Sequence, residues 1–141
     1  MTRQELAQFG HLKREVVLLE DKLHRARERA LQMGRVPDGM PRGSATGDPV
    51  GVQTANIVLY ETLLTQKLEE CQRLLNEITA FINGIGDSLL RQVFLLRYVE
   101  GLTWNRVADR IGGGNTENSL KQMHSRYLRA HLDCHTCHTG V

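Results

Sequence analysis

Long apolar runs are missing from this chain. No stretch approaches the roughly 20 consecutive apolar residues of a membrane span, and the first residues lack the apolar centre of a secretory signal. The expectation is a cytoplasmic protein with no membrane partner. Cysteines number three, two of them crowded near the C-terminus, which does not make a disulfide framework. Aromatic residues amount to only 5% against 40% hydrophobic content, so the chain can bury a real core, but a thin and helical one. Catalytic groupings are missing too: no nucleophile has a suitably spaced base, and no carboxylates pair around a pocket. Gly112-Gly113-Gly114 resembles a phosphate-cradling loop only in isolation, because no Lys-Ser/Thr follows it and no strand precedes it. An enzyme is not expected, nor a cofactor. A length of 141 residues suits one domain, or a small domain with an extended element.

What is present is helical periodicity. Phe9, Leu12, Val16, Leu19, Leu23, Ala26, Ala30 and Met33 step by three and four, a heptad seam on a helix of about 30 residues, roughly 45 Å long. Leu64, Leu68, Cys71, Leu75, Ile78 and Ile82 repeat the pattern in a second long helix. Between the two, residues 34–50 hold four glycines and three prolines without apolar periodicity, which reads as a flexible loop. Two long helices joined by one loop most simply form an antiparallel hairpin over residues 1–83. Val17, Leu18, Leu59, Leu63 and Leu74 lie off these seams and would favour a partner, either the C-terminal segment or a second copy in a homodimer. The link Asn83-Gly84-Ile85-Gly86 then permits a sharp bend, and some swing, before Asp87 or Ser88 caps the next helix.

Residues 84–131 read as a helix-turn-helix. An apolar helix carrying Leu89, Leu90, Val93 and Leu96 stops at Gly101, which can take the left-handed conformation that closes a helix. Thr103 can accept a hydrogen bond from the free N–H groups of the next short helix, on which Val107, Ala108 and Ile111 form an apolar strip. Gly112-Gly113-Gly114 makes a turn, and Asn115 or Thr116 caps a third helix whose buried face is Leu120, Met123 and Tyr127. Two short helices around a glycine-containing turn form the motif that lays its second helix in the DNA major groove. Charge is distributed accordingly: residues 85–132 hold seven Lys/Arg against four acids, residues 1–35 eight against five, and residues 51–83 two against four. Trp104 is expected in the core or a hinge, and His124 at the surface or as a cap.

The run Leu95-Leu96-Arg97-Tyr98-Val99-Glu100-Gly101-Leu102-Thr103-Trp104, continued by Val107, Ala108, Ile111 and Gly112, resembles region four of bacterial sigma factors. Residues 115–120 and 123–128 are similar to the small sigma-region-four-like regulators of phages and prophages of Gram-positive bacteria, of the RinA and ArpU type. The resemblance covers about a third of the chain. The turn is longer and richer in glycine than in sigma factors, and nothing resembles the regions that melt a promoter or grip core polymerase. The resemblance implies an all-α protein, a long helical hairpin followed by a helix-turn-helix, in a bacterial host cell. It further implies a regulator that binds double-stranded DNA at a promoter and switches on late or packaging genes, with RNA polymerase as a further partner. Base contacts are expected from Asn118, Lys121, Gln122 and Ser125, because Asn and Gln pair with adenine N6/N7 and Lys reaches guanine O6 or N7. Arg106, Arg110, Arg126, Arg129 and the helix start at Thr116 are placed for phosphates, and Thr103 and Asn115 are further residues expected at the DNA-binding surface. Two other roles fit the same residues: recognition of a packaging site, as by a terminase small subunit, and a protein–protein adaptor that binds polymerase through a degenerate motif.

Residues 132–141 form a Cys/His-containing tail, expected to be a frayed end. Cys134-His135-Thr136-Cys137-His138 has half the spacing of a zinc site, with His131 or His138 to extend it, and also spells the haem-attachment pattern. A second ligand pair is lacking, and haem attachment belongs to exported proteins. No metal site is assigned, and His131, Cys134, Cys137 and His138 are the zinc candidates to test.

Overall fold

The computed structural model describes residues 1–33 and 49–132, and its fold class is all-α. The helices are α1 (Arg3–Met33), α2 (Pro49–Asn83), α3 (Ser88–Phe94), α4 (Trp104–Ile111) and α5 (Glu117–His131), with a π-helical turn, Leu95–Val99, continuing α3. Most of the expected 34–50 loop, and Cys134, His135, Cys137 and His138 of the tail, lie outside the described residues. Helix α2 starts inside that expected loop, at Pro49, because proline's fixed φ and missing N–H suit a first helical position. Thr2 caps α1: its Oγ1 accepts from Glu5 N (3.1 Å) while Thr2 N donates to Glu5 Oε2 (2.6 Å), the reciprocal box that T-x-x-E spells. No helix among the described residues is long and apolar enough to cross a membrane.

By its contacts the chain forms two compact units, Met1–Leu12 with Cys71–Val141, and Lys13–Glu70. These boundaries fall inside α1 and α2, whereas the sequence divides the chain between residues 83 and 84. In the first unit the ends of both long helices supply Leu6, Phe9, Leu12, Leu74, Ile78 and Ile82 to one core with Ile85, Leu90, Phe94 and Leu128. Ile85 is 1% exposed, so the link is an anchored part of this core. Arg91 holds it further, its Nη1 donating to the carbonyls of Ile85 (2.7 Å) and Gly86 (3.1 Å). Neither Gly84 nor Gly86 has a positive φ, so the bend is made with backbone conformations open to other residues. Asp87 caps α3, its Oδ1 accepting from Leu89 N at 2.8 Å.

In the second unit α1 and α2 run in opposite directions, tied by Arg27 to Glu61 (2.8 Å) and Glu15 to Lys67 (3.7 Å). Val16, Leu23 and Ala26 of the expected α1 seam are buried, but Met33 is 41% exposed. The α2 seam differs by a step: Leu68 is 46% exposed and Leu74 is 8% exposed. Steps of four and three back from Ile78 through Leu74 and Cys71 lead to half-buried Lys67 rather than Leu68. Lys67 Nζ reaches Glu70 (3.3 Å) and Glu15 (3.7 Å), and a polar residue at this position hides the seam from a reading by hydrophobicity.

Candidate nucleic-acid interface

The C-terminal helices are set by their turns. At the end of the π-helical turn Gly101 has φ +71°, which lets Leu102 N donate back to Leu96 O at 3.0 Å and closes the helix. Arg97 braces the closure: its Nη1 donates to Leu102 O (2.8 Å), and its guanidinium lies 5.1 Å from the centre of the Trp104 ring. Thr103 occupies the cap position of α4 with an extended backbone, but its side chain makes no capping bond. Its expected role is thus carried by backbone geometry alone. In the next turn Gly112, Gly113 and Gly114 all have positive φ, and Asn115 Nδ2 donates to Gly112 O (2.9 Å). Thr116 caps α5: Thr116 Oγ1 accepts from Ser119 N (3.2 Å), and Ser119 Oγ accepts from Thr116 N (3.1 Å). Asn115 therefore holds the turn and Thr116 the helix.

Val93, Leu96, Val107 and Leu120 form the core that packs α3, α4 and α5 together. The inner stripe of α5 is Leu120, His124 and Leu128, with Met123 and Tyr127 half-buried beside it. His124 is consequently not a surface residue: it is 9% exposed, at the centre of an i, i+4, i+8 row. Its Nε2 shares a 2.6 Å hydrogen bond with the Tyr98 hydroxyl. Phe94, Tyr98 and Trp104 pack around it at ring-centre distances of 5.1, 5.5 and 4.9 Å. Burial pushes the imidazole down to about 4, and repulsion from Arg97 and Arg3 acts in the same direction. Burial also raises the Tyr98 hydroxyl above its ordinary value. Both groups are uncharged at neutral pH, so their hydrogen bond is a neutral one among the C-terminal helices. Trp104, half-buried between Arg97 and His124, is a core residue as expected.

The opposite side of α5 carries the expected readers. Asn118, Gln122, Arg126 and Arg129 are exposed, Lys121 and Ser125 half-buried. Lys121, Gln122, Ser125, Arg126 and Arg129 line one shallow depression, so these five are brought together. Lys121 Nζ lies 2.6 Å from Glu117 Oε1, which engages one of its donors. On α4, Arg106 and Arg110 are exposed and line a second depression with Leu102 and Asp109. Asn115 is half-buried in the turn, and Thr116 is exposed at the start of α5. Of the zinc candidates only His131 is described; its Nδ1 contacts Tyr127 O (3.0 Å) and its ring stacks on Tyr127. Among the described residues no three His, Cys, Asp or Glu side chains gather to hold a metal ion.

Arg97, Tyr98 and His124 are the positions whose roles the sequence did not disclose. The signal for His124 was its spacing of four from both Leu120 and Leu128. No protein-family model, no curated protein and no solved structure matches the chain.

Proposed function

We propose that the chain is a helix-turn-helix DNA-binding protein in which α5 reads the major groove. More narrowly, we propose that it is a cytoplasmic transcription regulator of phage or prophage late genes. The observation that carries the first step is the outer face of α5: two arginines, a lysine, a glutamine and a serine share one depression, on a helix whose start is capped and whose other face is locked into the core. Gln122 is exposed and able to pair with adenine. Lys121, held by Glu117, is the weaker reader because DNA must compete for its ammonium. Arg126 and Arg129 supply charge to phosphates, and Arg106 and Arg110 supply it from α4. Support for the narrower step is the similarity of residues 95–112 to sigma region four and of residues 115–128 to the phage regulators.

Selection of bound duplexes from a random pool tests the proposal. A defined site should emerge, and Gln122→Ala should relax preference at one or two base pairs, at a cost of about 1–3 kcal/mol. Failure to enrich any duplex at low salt, with retained binding of RNA polymerase, would instead support an adaptor.

A further inference from the structure

Eight of the nine large hydrophobic residues exposed among the described residues belong to the Lys13–Glu70 unit. Val17 and Leu18 on α1 are each 61% exposed, Leu31 is 71% exposed, and Val52, Leu59 and Leu68 on α2 are 46–59% exposed. The unit buries little in return: Val16, Leu23 and Ala26 are buried on α1, and no side chain of residues 51–70 is. A pair of helices with so thin a core is short of hydrophobic stabilisation, and most helical stability in water comes from packing an apolar face. Its charges are sorted by helix. Residues 13–33 carry six Lys/Arg against four acids, whereas residues 49–70 carry one against three.

We propose that this unit is a self-association surface, and that what covers it is a second copy of this chain with α1 of each copy facing α2 of the other. A two-fold axis then sets net-positive α1 against net-negative α2 twice, which a parallel match of like helices would not do. The dimensions suffice. About 20 residues of each helix give a face roughly 30 Å long and two helices, about 20 Å, wide, which is on the order of 600 Å² per partner and 1,200 Å² in total, the low end of specific interfaces. The proposal does not depend on the DNA-binding reading.

Sedimentation equilibrium of the full chain tests it, with Leu18→Glu and Leu59→Arg as probes. Each substitution sets a charge against the like net charge of the helix it would face in the other copy, at an exposed position where helicity should survive. Expected are twice the chain mass at micromolar concentration, at least a tenfold rise in dissociation constant for each variant, and unchanged circular dichroism at 222 nm. A wild-type chain that stays monomeric at 100 μM overturns the proposal, as does a dimer whose mass neither substitution alters.

Discussion

A neutral imidazole at position 124 ties folding to pH. In the unfolded chain a histidine takes up a proton near pH 6.5, whereas the buried ring resists until about pH 4. Between those values the unfolded state binds more protons, so stability is full above pH 6.5 and falls as pH drops toward 4. For a wholly desolvated group the difference would reach about 3 kcal/mol; partial solvent screening reduces it to roughly 2 kcal/mol. Urea unfolding at pH 7.5 and 4.5 should show this loss in the wild type, over and above that of His124→Gln, which keeps polar atoms for Tyr98 but cannot titrate. Equal pH dependence in the two proteins would show that the ring is not held neutral. The same cluster accounts for how few aromatics suffice. Phe81, Phe94, Tyr98, Trp104 and Tyr127, five of the seven in the chain, lie within one connected set of ring contacts that includes His124. Tyr98→Phe should cost about 1–2 kcal/mol by leaving His124 Nε2 without its partner.

At the scale of elements, helix existence and turn chemistry were legible because each rests on local rules. The seven-residue spacing of Phe9, Val16 and Leu23, the stop at Gly101 and the cap at Thr116 are local signals, and the structure contains each of them. What was not legible depends on tertiary partners. Leu74, off the seam by its spacing, enters the core where α2 meets α1; Leu68, in the seam by its spacing, is exposed, and Lys67 beside it is half-buried and paired with Glu15. This correction is measurable. Leu74→Ala should destabilise by about 2–5 kcal/mol, and Leu68→Ala by about 0.5 kcal/mol or less; the reverse order in thermal unfolding would restore the original seam. Glycines give a second contrast. A Cβ at Gly10, inside α1, meets nothing within 4 Å, so Gly10→Ala should stabilise by roughly 0.5–1 kcal/mol. Gly112 has φ +64° and ψ −151°, a region closed to side chains, so Gly112→Ala should cost about 1–3 kcal/mol and loosen the joint between α4 and α5. The candidate readers on α5 follow from helical periodicity once Leu120 is placed inside. That Lys121 is bound to Glu117 does not follow from periodicity, since an i, i+4 pair on a helix can stay open to solvent.

Two surfaces of the protein differ in chemistry. Residues 117–129 present cationic and amide groups on a firmly packed core, suited to a polyanion, while residues 13–33 and 51–70 present aliphatic side chains on a thinly packed one, suited to a protein. Substitutions on one surface should leave the other's property intact, because additivity holds for sites without shared partners. The central claim concerns the first surface, and salt addresses it most directly. Affinity of the full chain for its selected duplex, measured by fluorescence anisotropy between 50 and 200 mM salt, should fall steeply with salt, and each of Arg126→Ala and Arg129→Ala should reduce the log–log slope by about one phosphate contact. Binding that ignores salt, or slopes unchanged in both variants, would contradict the assignment of α5 as the helix that meets DNA.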